Sequence, residues 1–113
     1  MTAATDGRQR LVVGIGGASG IALGVRVLEL ARALGIQTHL VITPAAHQTR
    51  ARETDLSAEE LAALADVSRR QADVGAAIAS GSFTTLGMIV APCSARSLAA
   101  IAYGAGNHLL ALD

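Results

Sequence analysis

Three short stretches gather glycine, proline and hydroxyl residues: Gly14 to Gly20 (GIGGASG), Thr43-Pro44, and Pro92 to Ser97 (PCSARS). Two of them run into segments with helical spacing. Backbone N–H groups at a helix N-terminus attract an anion, above all a phosphate. The competing reading has the glycines only turning the chain sharply from strand to helix, and anion binding is favoured over it. A dinucleotide fingerprint needs G-x-G-x-x-G. Here Gly14 and Gly16 fit, but the third glycine falls one place late at Gly20, with Ser19 in its slot. That fingerprint also wants Asp or Glu at the end of the second strand to hold a ribose, where this chain has Thr43. A lysine-dependent phosphate loop is excluded, because all nine basic residues are arginine. A mononucleotide such as FMN is compatible with the spacing, which does not by itself select it.

The other reactive side chains are sparse. Cys93 is the single cysteine, so no intrachain disulfide can form. It reads as a small packed residue rather than a nucleophile, since no His stands beside it in sequence. His39 reads as a packed sheet residue, and His47 and His108 as surface residues. No pair of His, Cys or carboxylates has metal-ligand spacing, so no metal is expected.

The elements that position the three loops follow from periodicity. Residues 1–9 read as a polar, flexible start, and residues 10–113 as one small domain at most, with an incomplete core expected. Arg10 to Ile15 (RLVVGI) is a β-branched run that predicts a buried strand. Ile21, Val25, Leu28, Ala31 and Leu34 recur at helical spacing, with Gly35 as the stop. Thr38 to Thr43 predicts a second strand, and Pro44 opens a helix over 44–53. Ser57 and Glu60 have capping-box spacing ahead of Leu61, Leu64 and Ala65. Residues 72–79 predict a further short helix, Ser80 to Phe83 a turn, Gly87 to Ala91 (GMIVA) another strand, and Ala95 to Tyr103 a last helix. This order implies right-handed crossovers and a doubly wound parallel sheet, a three-layer α/β/α arrangement of Rossmann or flavodoxin type. In such a sheet the three loops meet beyond the carboxyl ends of the strands.

Composition narrows the class further. Apolar residues make up 51% and charged residues 16% of 113 residues, with no net charge. A disordered chain and a basic nucleic-acid surface are excluded on these grounds. One Tyr, one Phe and no Trp leave no base-stacking platform. Arg8 and Arg10 precede an apolar run, but glycines interrupt it and Arg26, Glu29 and Arg32 follow. Neither a signal peptide nor a membrane span is expected, and a cytoplasmic location is.

Several motifs in order carry a resemblance: Gly14 to Gly20, Thr38-His-Leu-Val, Arg52-Glu-Thr-Asp55, Ala63-Leu-Ala-Asp66, Ser80-Gly-Ser-Phe83, and Gly87 to Ser94 (GMIVAPCS). Together they resemble the UbiX-type flavin prenyltransferases, flavoproteins also described as small subunits of aromatic-acid decarboxylases. The likeness runs from about Arg10 to Leu110. It implies FMN in a Rossmann-like domain, in a homo-oligomer with sites at subunit interfaces, and no metal. It implies transfer of a dimethylallyl group from dimethylallyl phosphate to flavin N5, then ring closure onto C6. The prenylated FMN would serve a partner decarboxylase, including one in ubiquinone synthesis.

By the same resemblance Gly17, Ala18 and Ser19 match the first flavin-binding loop, and Thr43 stands where the family usually has Ser. Ser94, Ala95, Arg96 and Ser97 match the loop after the GMIVA strand. Glu53 and Ser19 match the residues implicated in catalysis. The chain also departs from the pattern. Pro44 stands where Lys is common, and Leu112 where an Arg contacts the phosphate side. The later Lys, Glu, Tyr and Arg that grip dimethylallyl phosphate have no counterpart before Asp113. The expectation is an apparently truncated family member with a weakened FMN site. A non-catalytic FMN-binding or oligomerising fragment is the alternative, and a conventional FMN oxidoreductase a weaker third.

Overall fold

The computed structural model describes residues 9–69 and 85–93. Seven elements follow one another: β1 (Arg10–Ile15), α1 (Ile21–Ala33), β2 (Gln37–Ile42), α2 (Pro44–Glu53), α3 (Ala58–Ala63), β3 (Val67–Ser68) and β4 (Met88–Val90). The strands form one parallel sheet in the order β3-β2-β1-β4. This is a Rossmann- or flavodoxin-like sheet, as the pattern of elements predicts. The helices read over 72–79 and Ala95 to Tyr103, and the turn at Ser80 to Phe83, lie outside the described residues.

The inner strands are apolar because both of their faces are covered. Val12, Val13 and Ile15 of β1 and Leu40 and Val41 of β2 have 0–1% exposure. Val13, Ile15 and Leu40 join Ile21 and Leu28 of α1, Ala46 of α2, and Leu61 and Ala65 in one core. Helix α1 ends in a Schellman motif: Gly35 N–H donates to the Arg32 carbonyl and Ile36 N–H to the Ala31 carbonyl. Gly35 sits at φ +73°, a conformation that favours glycine. The capping box is formed as its spacing predicts, with Glu60 N–H donating to Ser57 Oγ at 3.0 Å and Ser57 N–H to Glu60 Oε1 at 2.8 Å.

Some expectations shift. The second strand runs Gln37–Ile42, one residue earlier than read, because Thr43 already serves as the N-cap of α2. Leu34 does not join the buried stripe; it is the C-cap of α1 and 74% exposed. The buried face is Ile21, Gly24, Leu28 and Ala31, and Gly24, near the start of the helix, packs α1 closely against β1 and the end of β4. The two-residue strand β3 was not anticipated. It pairs His39 with Val67 and Leu40 with Ser68. Asp66 secures it by accepting from Thr38 N–H at 2.9 Å, while its own N–H donates to Thr38 Oγ1.

Candidate functional site

The chain leaves β1 toward β2 on one side, and β4 comes to lie on the other side of β1. The carboxyl ends of β1 and β4 therefore flank the point where the strand order reverses, the usual ligand crevice of such sheets. Gly16 N–H donates to the Pro92 carbonyl at 3.3 Å, and Ala91 N–H to the Gly14 carbonyl at 2.9 Å. These bonds join the first loop to the third. Thr43 N–H donates to the Ile15 carbonyl at 3.2 Å, which sets the second loop beside them. The three loops thus converge as far as Cys93. Ser94, Ala95, Arg96 and Ser97 lie outside the described residues, as do His108 and Leu112.

Glu53, the last residue of α2, reaches across to the loop that precedes α1. Its carboxylate accepts a hydrogen bond from the Ser19 hydroxyl, from Gly20 N–H at 2.9 Å and from Ile21 N–H at 3.2 Å. The N-cap residue Gly20 has no side chain to cap α1, so Glu53 supplies the acceptor from 33 residues away. Gly20 sits at φ +104°, so the loop needs glycine there to enter the helix. This revises the picture of an open helix N-terminus. The first helical N–H groups already have an anion, and it belongs to the protein. The N–H groups of Ala18 and Ser19, by contrast, donate to nothing among the described residues.

Thr43 is 1% exposed, and its Oγ1 accepts from Ala46 N–H at 3.2 Å, capping α2 ahead of Pro44 at the first helical turn. Thr49 was missed in the sequence. It is 1% exposed and donates its hydroxyl to the Gly17 carbonyl at 2.6 Å. A signal for it exists: Thr49 and Glu53 are four apart, so they share one face of α2. Both grip the same loop from that face.

Electrostatically, the Ser19 hydroxyl chiefly, then the Gly20 and Ile21 N–H groups, hold the Glu53 carboxyl below the usual carboxylate range. Partial desolvation opposes them, and the Arg52 guanidinium adds a little in the lowering direction. A carboxyl whose folded pKa is depressed stabilises the fold fully above its unfolded pKa and ceases to do so as pH falls through the folded value. Wild type should therefore unfold at a higher temperature than Glu53→Gln at neutral pH. The gap should close as acid protonates Glu53. Thermal melts of both proteins across an acid series check this, and a gap that persists or widens in acid would contradict it.

Among the remaining candidates, His39 is fully buried in β2, as read. Arg69 donates Nε–H to His39 Nδ1 at 2.9 Å, so the ring presents Nε2–H to Gln37 Oε1 at 2.8 Å. His47, read as a surface residue, is half-buried and lines a surface cleft of about 400 Å³ with Glu59, Ser68 and Arg69 beyond the ends of β2 and β3. Cys93 is half-buried. No cluster of three His, Cys, Asp or Glu suited to a metal occurs among the described residues. No helix among them is long and apolar enough to cross a membrane.

A parallel sheet with a glycine loop at its reversal point, braced by a carboxylate from the next helix, defines a Rossmann- or flavodoxin-like protein built around that crevice. The family model described as Flavoprotein matches residues 2–112, and the chain belongs to the Flavoprotein family. The flavin prenyltransferase UbiX of Neisseria meningitidis serogroup B is 51% identical over 102 residues, covering 90% of this chain and 54% of that protein. The flavin prenyltransferase UbiX of Escherichia coli K12 is 50% identical over 103 residues, with the same shares covered. Among solved structures, AnUbiX (PadA1) in complex with FMN and dimethylallyl pyrophosphate matches with a TM-score of 0.83 at 43% identity, covering 92% of this chain and 55% of that one. A dodecameric FMN-dependent UbiX-like decarboxylase from Escherichia coli O157:H7 matches with a TM-score of 0.79 at 47% identity, covering 89% and 56%. The chain spans about half the length of the curated relatives it matches.

Proposed function

We propose that this chain forms the FMN-binding part of a flavin prenyltransferase. The reaction moves a dimethylallyl group from dimethylallyl phosphate to reduced FMN, and the prenylated FMN passes to a partner decarboxylase. A homo-oligomer and a cytoplasmic location go with this reading. One observation carries it: Ser19 and Glu53, the pair singled out by resemblance to these enzymes, are hydrogen-bonded to each other at the reversal point of the sheet. The relatives at about 50% identity are matched over the same part of the chain.

The residues present suit the phosphate of FMN. Ala18 and Ser19 offer backbone N–H groups with no partner among the described residues, and Ser19 is exposed. In this reading Gly17, Ala18, Ser19 and Thr43 hold the cofactor together with Ser94, Ala95, Arg96 and Ser97. Bound FMN supplies the flavin N5 and C6 positions that receive the dimethylallyl group. Glu53 holds a carboxylate oxygen against the Ser19 hydroxyl, so the two can move a proton at Ser19 Oγ. The same carboxylate keeps the loop in shape through Gly20 and Ile21. Pro44 supplies no cation to the phosphate, which leaves backbone donors and Arg96 to neutralise it.

The test joins residues 1–113 to the second half of the Neisseria meningitidis relative, incubates the product with FMN, a reductant and dimethylallyl phosphate, and weighs the extracted flavin. A mass gain of one dimethylallyl group is expected. A folded chimera that retains FMN but never adds the group would overturn the prenyltransferase reading.

A further inference from the structure

We infer that Thr49 is a positioning residue that aims the Ala18 N–H at the ligand phosphate; the inference rests on the FMN reading above. A threonine inside a helix ordinarily turns its hydroxyl back to the carbonyl four residues earlier. Here that contact, to Ala45, is 3.4 Å, while the Gly17 carbonyl is at 2.6 Å. The hydroxyl has one hydrogen, and the shorter, cross-chain bond takes it. The Oγ1 lone pairs remain for Arg52 Nη2, at 3.4 Å.

The Gly17 carbonyl and the Ala18 N–H belong to one peptide plane. In a trans peptide these two groups point in opposite directions. Pinning the carbonyl to the buried face of α2 therefore turns the N–H away from α2. Glu53 does the complementary work two peptides further on, holding the Gly20 N–H toward the helix. Between these two fixed points lie the unpartnered N–H groups of Ala18 and Ser19. The loop is thus set in its phosphate-ready shape by two residues one helical turn apart. Only one of them, Glu53, has a place in the proposed chemistry.

The experiment compares Thr49→Val, which keeps the shape and removes the hydroxyl, with Thr49→Ser, which keeps the hydroxyl. Thr49→Ala replaces the valine variant should that one fail to fold. The first readout needs no ligand: the 15N order parameter of the Ala18 amide should fall in Thr49→Val and stay at its wild-type value in Thr49→Ser. The second is selectivity. FMN affinity should drop about tenfold in Thr49→Val, with riboflavin affinity unchanged and Thr49→Ser within about twofold of wild type. An unchanged Ala18 order parameter in Thr49→Val overturns the inference whatever the flavin does. Equal weakening of FMN and riboflavin overturns it too, since that is the mark of a merely structural role. A wild type that binds no FMN refutes the flavin reading and, with it, the phosphate assignment, and this is recognised from the wild type alone.

Discussion

Ser19→Asp is expected to weaken FMN binding by about 10²-fold. Ser19 donates its hydroxyl hydrogen to the Glu53 carboxylate, and its N–H donates to nothing among the described residues, which in the proposed reading leaves it open to the phosphate. The substitution replaces a donor by an acceptor at that point. It sets a second negative charge against Glu53 and beside the phosphate. Two unit charges about 4 Å apart repel by about 4 kcal/mol at the effective dielectric of a protein surface. Ser19 is exposed, so solvent screening reduces this to about 2–3 kcal/mol, which is still about a hundredfold in affinity. Ser19→Ala removes only the neutral donor and should cost far less. Fluorescence titration of FMN against both variants checks the order. An affinity for FMN unchanged in Ser19→Asp would place the phosphate elsewhere.

The second large effect concerns stability. Gly24→Ala should lower the melting temperature by about 10 °C, although alanine is the better helix former. A Cβ at Gly24 would lie 2.5 Å from the Ala91 carbonyl oxygen and 2.8–2.9 Å from two carbons of Ile15. The helix gains about 1 kcal/mol from the exchange. Overpacking costs about 1–3 kcal/mol, and the upper end applies because the nearest atom is backbone and cannot rotate aside. The net loss is about 2 kcal/mol, which for a domain of this size is about 10 °C. Ala91 and Pro92 also carry the bonds that join the third loop to the first, so the same strain reaches the ligand crevice. A melting temperature equal to or above wild type would show that α1 can move off the sheet without penalty.

How far these features were legible in the chain depends on the range of the interactions behind them. β1, β2 and α1 declare themselves through buried apolar runs and helical spacing, and α3 through Ser57 and Glu60, because burial and capping act over a few residues. The strand limit at Ile42 was misplaced because Thr43 suits a strand by type and an N-cap by function, and Pro44 decides for the cap. Leu34 matched the apolar period, yet the helix ends one residue before it. Strand β3 has two residues and no pattern of its own; its partners are almost thirty residues earlier. Gly24 reads as a weak point in a helix until Ala91, sixty-seven residues on, is seen against it. The Ser19–Glu53 pair came from family likeness. Its second role, capping α1, needed the three-dimensional arrangement, as did the part played by Thr49.

In the proposed reading the Gly14 to Gly20 loop holds the phosphate of FMN through its open backbone N–H groups. Amide chemical-shift mapping during parallel titrations with FMN and with riboflavin tests it most directly. FMN should move the amides of Gly17, Ala18 and Ser19 most, and riboflavin, lacking the phosphate, should leave Ala18 and Ser19 nearly in place. Equal shifts at these amides with both ligands, or FMN shifts centred instead on the cleft at Ser68 and Arg69, would contradict it.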